Sequence, residues 1–352
     1  MKLFTVGPVQ MYPETLQIEG TQLPYFRTPE FGDLMKDCEK WFLQSVYAPE
    51  GTGFAALTCS GTGAMDAAVA NTLTQKDKAL IINGGSFGKR FAEICELYKI
   101  PYDTYDIAFQ EVFSKNEFRS YAGKGYTALL VNACDTSTGQ KYDLDFLGAF
   151  CRENDMLFIV DAVSAYLADP INMEKQGIDV LFTASQKALS LSPGAALVAL
   201  SKKAQLRAEQ NASTYYFNFH SYLENQKRGQ PPFTSAIGTM LALHQRLASI
   251  SEKGVEEEIA LHAERAKYFR EKISVLPLQI PDIPLSNCCT PVLFPEKNAT
   301  AVYESLKENY EIFLTPSGGD WKDLQLRVGH MGNLKLEDFD LLVDLLGKEL
   351  QK

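Results

Sequence analysis

Two apolar rhythms alternate along residues 53–200. Segments 53–58, 79–83, 127–132, 156–161, 179–183 and 195–200 are near-continuous apolar runs, the pattern of strands covered on both faces. Between them, 63–73, 87–97, 144–153 and 203–209 carry apolar residues at helical spacing. This succession predicts an α/β fold with a mostly parallel sheet flanked by helices. Ahead of it, 33–45 is amphipathic and helical and follows an irregular arm. Residues 202–235 are polar and aromatic-rich and read as a loop before two long helices, 235–250 and 255–273. A proline-punctuated turn at 277–284 leads into a small α+β unit, with strands at 290–293 and 324–328 and helices at 299–309 and 336–350. The expected organisation is an N-terminal arm (1–20), a large domain (21–254) and a small C-terminal domain (255–352).

Of the 352 residues, 45% are hydrophobic and 22% charged, enough apolar material for a sizeable core. The net charge of −10 disfavours nucleic acid and anionic membrane surfaces as main partners, yet it permits a local basic pocket for a small anion. No apolar run reaches the roughly 18 residues of a membrane span, and the N-terminus has no apolar stretch of the signal-peptide kind. Seven scattered cysteines with no CxxC pair point to a reducing, cytoplasmic compartment rather than to disulfides or zinc. The four histidines have no metal-ligand spacing.

In open α/β sheets ligands bind beyond the carboxyl ends of the strands, and several segments rich in Gly, Ser, Thr and Asp fall there. Ser60-Gly61-Thr62-Gly63 lies between a strand and a helix. It suits a phosphate cradle and equally a tight turn capped by Ser60 or Thr62. Phe87, in Gly85-Ser86-Phe87-Gly88, is either a flat stacking surface or the start of a helix's apolar face. Thr136-Ser137-Thr138 offers three hydroxyls to a ligand or to its own turn. The most informative residues are Asp161 and Lys187, each at the end of an apolar strand, where an unpartnered buried charge costs several kcal/mol. Either they pair with one another, or each meets a ligand: the lysine as an imine-forming amine, the carboxylate against a cationic ring nitrogen.

The segments Asp161-Ala162-Val163-Ser164, Gly177-Ile178-Asp179-Val180, Ser185-Gln186-Lys187-Ala188-Leu189 and Pro193-Gly194 resemble the class V aminotransferases. These are pyridoxal-phosphate enzymes of fold type I, and the likeness is to their alanine/serine–glyoxylate/pyruvate subgroup. Gly7-Pro8, Ser60-Gly61-Thr62-Gly63, Phe87, Asp135-Thr136-Ser137-Thr138-Gly139 and Leu326-Arg327-Val328-Gly329-His330-Met331-Gly332 extend it over nearly the whole chain.

The resemblance implies that Lys187 forms the Schiff base with pyridoxal phosphate and then moves a proton at the substrate. It implies that Asp161 pairs with the pyridine nitrogen, Phe87 and Val163 cover the two ring faces, and Thr136 meets the phenolic oxygen. Ser60, Gly61, Thr62 and Gln186 match the phosphate site. Thr234 matches the position that completes the neighbouring subunit's phosphate site, which implies a homodimer with shared active sites. On the substrate side the matches are Arg327, for the carboxylate, with Gly7 and Arg27. In a related subgroup the arginine corresponding to Arg27 reaches the partner's substrate, although Phe26 stands here where that subgroup has His. His330 reads as structural. The implied reaction moves an amino group from a small amino acid, alanine or serine in type, to glyoxylate or pyruvate.

Two positions depart from the family: Phe87 stands where Trp is common, and Asp135 where Glu is commoner. Desulfurases of this fold class place His on the ring and His before the lysine, where this chain has Phe87 and Gln186. 2-Aminoethylphosphonate–pyruvate aminotransferase is the nearer alternative, because one arginine serves a carboxylate or a phosphonate. A nicotinamide oxidoreductase uses the turn at Gly61 and Gly63 but leaves Lys187 without a role.

Overall fold

The structure, a computed structural model, describes residues 1–351. Seven strands form the central sheet: β1 (Gly53–Leu57), β2 (Ala79–Asn83), β3 (Tyr102–Asp106), β4 (Ala128–Asn132), β5 (Leu157–Asp161), β6 (Val180–Ala184) and β7 (Ala196–Leu200). Their spatial order is β1-β7-β6-β5-β4-β2-β3. β7 alone runs against its neighbours, and the remaining contacts are parallel. β4, β5 and β6 are buried at every position, which explains their unbroken apolar sequence. Successive side chains leave a strand on opposite faces. Leu129 and Val131 therefore enter one core with Phe158 and Leu181, while Leu130 enters the other with Ile159 and Phe182.

All six expected strands are present. Several short elements escaped the hydrophobic pattern: the arm expected to be irregular contains the helix Pro13–Glu19, opened by a proline at its first position, and two others stand out. β3 reads Tyr-Asp-Thr-Tyr-Asp and buries only Tyr105. It is an edge strand, so its outward positions stay polar, and Asp103 pairs there with Lys78 at 2.7 Å. Within the expected loop 202–235, Phe219–Gln226 is a helix whose cap is Asn218, accepting from the Ser221 N–H at 3.0 Å.

Beyond residue 273 a three-stranded antiparallel sheet, β8 (Cys289–Leu293), β9 (Thr315–Pro316) and β10 (Gln325–Gly329), has the order β8-β10-β9. It shares a core with the helices Ala299–Tyr310 and Leu336–Glu349. The N-terminal arm is sewn to this unit. Lys2–Leu3 pairs in parallel with Ile312–Phe313, Phe4 is buried in the C-terminal core, and the Val6 N–H donates to the Thr315 hydroxyl at 2.9 Å. The Gly329 N–H donates to the Phe4 carbonyl at 2.7 Å, and from there the arm descends to the large sheet, where the Val9 N–H reaches the Gln186 carbonyl at 3.3 Å. Among the described residues no helix is long and apolar enough to cross a membrane.

Gly329 admits the arm because it lacks a side chain: a Cβ there would lie 2.2 Å from the Thr5 carbonyl oxygen. Gly329→Ala is therefore expected to lower stability by about 1–3 kcal/mol, read from the urea midpoint, and to make residues 1–10 more susceptible to proteolysis. Unchanged values for both would show that the arm tolerates displacement.

Candidate active site

Strands β1, β4, β5 and β6 bring their C-terminal ends to one cavity of about 190 Å³, lined by Gly7, Ser60, Gly61, Thr62, Phe87, Thr136, Asp161, Val163, Gln186 and Lys187. Met65, Cys134 and Ser164 complete the wall. Every site residue expected from sequence is there except Thr234, Arg327 and Arg27.

Asp161 ends β5 opposite Asn132 of β4. Its carboxylate accepts from the Asn132 amide at 2.6 Å and from the Val163 N–H at 2.8 Å. Burial raises this carboxyl to about 6, against the opposing pull of both hydrogen bonds and of Lys187. Lys187 follows β6, and its Nζ donates to the Val6 carbonyl of the arm at 2.6 Å. Burial lowers this amine from its ordinary value, with the buried thiols of Cys288 and Cys289 and the Asp161 carboxylate pulling the other way. The two groups share a cavity without bonding one another, so the mutual pairing left open by the sequence is absent. Gly7 makes room for the lysine: its φ is +135°, and a Cβ there would lie 2.7 Å from the Lys187 Cδ.

At another side of the cavity begins the helix Gly61–Thr72. Its cap residue Ser60 makes no side-chain capping bond, and the Thr62 hydroxyl is engaged elsewhere, accepting from the Arg90 guanidinium at 2.9 Å. The self-capped turn is thus not formed, and the first N–H groups of the helix remain available. Gly61 lies against Val163, whose Cγ2 would be 2.8 Å from a Cβ at that position. Gln186 Oε1 is buried without a partner.

Phe87 opens the helix Ser86–Leu97, whose cap position, Gly85, has no side chain to give. Asp135 supplies the missing cap from a different loop. Its Oδ2 accepts from the N–H groups of Phe87 and Gly88, each at 3.2 Å, and its Oδ1 accepts from the Ser137 N–H at 2.9 Å and hydroxyl at 2.5 Å. A carboxylate at a helix N-terminus is favoured by the dipole. Of the three consecutive hydroxyls, Ser137 and Thr138 turn back onto Asp135, whereas Thr136 lines the cavity and accepts from the Ser164 hydroxyl at 3.3 Å.

Arg327 sits on β10, the middle strand of its sheet, so it is not an edge-strand surface arginine. It lines a neighbouring cleft of about 670 Å³ between Phe109, Ser137 and Trp321. Its Nη1 donates to the Thr136 carbonyl at 3.0 Å and its Nη2 to the Pro316 carbonyl at 2.8 Å. Its Nε is buried and unpartnered. Five N–H donors on the guanidinium leave it able to take an anion as well. Arg27 and Thr234 lie away from this chain's cavity wall. Arg27 donates to the carbonyls of Pro231 at 2.6 Å and Pro232 at 3.2 Å, bracing the loop that carries the exposed Thr234. His330 contacts the Thr290 hydroxyl at 3.2 Å and the Asn287 carbonyl at 3.0 Å, and burial lowers it to about 3.

Sequence reasoning passed over Asn132, Ser164 and Arg90 as site-shaping residues, and it singled out Asp135 as a departure from the family without giving it a role. One signal was available: a helix opening on Gly85 with no capping residue of its own needs a cap from elsewhere.

The profile of the family described as Aminotransferase class-V matches residues 49–316. An uncharacterized aminotransferase of Methanocaldococcus jannaschii is 29% identical over 339 residues, covering 94% of this chain and 87% of that protein. An alanine–glyoxylate aminotransferase of Felis catus is 26% identical over 366 aligned residues, covering 98% of this chain and 86% of that protein. The crystal structure of an alanine–glyoxylate aminotransferase from Nostoc sp. superimposes with a TM-score of 0.93 at 26% identity, over 99% of this chain and 94% of that one. With a profile match that spans most of its length, this chain belongs to the class-V aminotransferases.

Proposed function

We propose that this enzyme uses pyridoxal phosphate to move the amino group of a small amino acid, alanine or serine in type, to a 2-oxo acid such as glyoxylate or pyruvate. One observation carries the reading: Asp161 and Lys187 are buried in one cavity and are not joined to each other. A desolvated carboxylate without a cation and an amine with a lowered pKa suit a ligand that brings a protonated ring nitrogen and an aldehyde. The uncapped helix at Ser60 and the unpartnered Gln186 amide oxygen add a polar end fit for a phosphate.

When bound, the cofactor supplies an aldehyde that captures amines and a ring that takes up an electron pair from the substrate's α-carbon. Lys187 is the residue that would hold the cofactor, through Nζ, and as an uncharged amine it would move the proton at the substrate's α-carbon. Burial favours the uncharged amine that this step needs. Asp161 keeps the ring nitrogen protonated, held in place by Asn132 and Val163. Phe87 and Val163 fix the ring plane, and Thr136 binds the phenolic oxygen. Ser60, Gly61, Thr62 and Gln186 hold the phosphate. Thr234 of a second copy completes that site, so the active unit is a homodimer. Arg327 clamps the substrate carboxylate, a role lysine's point charge does not reproduce. Gly7 leaves room beside the lysine, and Arg27 orders the loop offered to the partner copy.

Purified protein is expected to be yellow, with a band near about 420 nm that borohydride removes while tagging Lys187. Lys187→Ala abolishes turnover and keeps residual cofactor affinity. An untagged lysine in loaded protein overturns the assignment. Assays pairing alanine, serine, aspartate and 2-aminoethylphosphonate with pyruvate, glyoxylate and 2-oxoglutarate test the substrate class, and preference for the phosphonate favours the alternative transaminase.

Arg327→Ala is expected to cost about 2–5 kcal/mol in kcat/KM for carboxylate substrates. Retention of the wild-type value removes Arg327 from the substrate site.

The raised carboxyl also sets a pH dependence. In cofactor-free protein Asp161 moves from 3.8 to about 6, so its contribution to stability is complete below about 3.8 and is lost as pH rises through about 6. Between pH ~4 and pH ~7, Asp161→Asn should gain on the wild type by about 2 kcal/mol, measured from urea midpoints. A difference that stays constant across this range contradicts the buried, proton-holding carboxyl.

A further inference from the structure

The cradle drawn above for the phosphate contains only neutral groups within one chain: Ser60, Gly61, Thr62 and Gln186. A phosphate monoester carries close to two negative charges at neutral pH, so the cradle lacks a fixed counter-charge. Lys187 cannot supply one, because it is committed to the aldehyde.

One cation does touch the cradle. Arg90 lies one turn beyond Phe87 on the helix Ser86–Leu97, at the i+3 spacing that places two side chains on one face. Its Nη1 donates to the Thr62 hydroxyl at 2.9 Å, and its guanidinium carbon stands 4.7 Å from the centre of the Phe87 ring. Its neighbour Lys89 pairs with Glu93 at 3.7 Å, whereas Arg90 has no carboxylate partner among the described residues. A partly buried guanidinium is thus held between a hydroxyl and an aromatic face, with most of its N–H groups unspent and its charge unpaired.

We propose that Arg90 is the cationic member of the phosphate cradle: it grips the cofactor phosphate alongside Thr62 and, through the same side chain, holds the Phe87 ring in its stacking position. The proposal rests on the reading of this cavity as the pyridoxal phosphate site. It assigns Arg90 two contributions that separate experimentally, since the charge acts on the phosphate and the planar contact acts on the ring.

Cofactor-free protein is titrated with pyridoxal phosphate and, separately, with pyridoxal, which has the same ring and aldehyde without the phosphate. Binding is followed by the band near about 420 nm and by quenching of intrinsic fluorescence. Arg90→Met should weaken pyridoxal phosphate roughly tenfold or more and leave pyridoxal within about threefold. Arg90→Lys, which keeps the charge, should recover part of the phosphate-dependent loss. Inorganic phosphate should compete with cofactor loading in the wild type and compete less in Arg90→Met. Equal weakening of both ligands would confine Arg90 to bracing Phe87 and overturn the counter-charge, as would unchanged affinity for pyridoxal phosphate. If the wild type develops no band with either ligand, the cofactor reading itself fails, an outcome distinct from the failure of Arg90 alone.

Discussion

Burying a carboxylate and an amine in one cavity, unjoined, is the constraint around which this fold is arranged. Either group could be relieved by reaching the other. Instead each is tied to backbone or amide partners: Asp161 to Asn132 and Val163 on the sheet side, and Lys187 to the Val6 carbonyl on the arm side. The result is a carboxyl that burial raises and an amine that burial lowers, a state that weakens the ligand-free protein and suits it to take up a ligand with complementary charge. Perturbed titrations of this kind concentrate where chemistry is done, and here two of them line one small space.

The loops around that space brace one another more than they brace themselves. The helix that presents Phe87 has no cap of its own and borrows one from Asp135. The helix that begins at Gly61 also has no side-chain cap from Ser60, and among the described residues no other side chain replaces it. The contrast is informative. Where Phe87 is proposed to stack, a carboxylate of the chain caps the helix; where a phosphate is proposed to bind, the N–H groups are left free. The family's commoner Glu at position 135 would have to fold its extra methylene into a turn already closed by Ser137, and Gly85 leaves little slack, since a Cβ there would lie 2.6 Å from the Asp135 carboxyl.

Much of the architecture was legible in the chain because strands covered on both faces must be apolar throughout, and six of the seven were. β3 was not, because it buries only Tyr105 and its remaining Asp, Thr and Tyr residues, partly or fully exposed, read as loop. The residues that line the cavity were legible through their positions after strands and through the family likeness. The residues alone did not separate Thr136 from Ser137 and Thr138; the family likeness singled it out, and the turn that sends the latter two back onto Asp135 gives the physical reason. Arg90 and Asn132 were invisible for a plainer reason. Each acts across a gap of more than twenty residues, Arg90 on Thr62 and Asn132 on Asp161, and no local pattern encodes such a meeting.

The arm has a mechanical consequence. Gly329 bonds to Phe4 two residues after Arg327 on the same strand, and Val6, two residues after Phe4, holds the lysine's nitrogen. A tether of a few peptide units therefore links the strand bearing one cation to the amine of the other. Any rocking of the smaller unit over the sheet pulls on that tether, so the carbonyl that restrains the amine travels with the arginine. The carbonyl that restrains the amine and the strand that carries the arginine are thus parts of one hydrogen-bonded chain of contacts, with no separate relay between them.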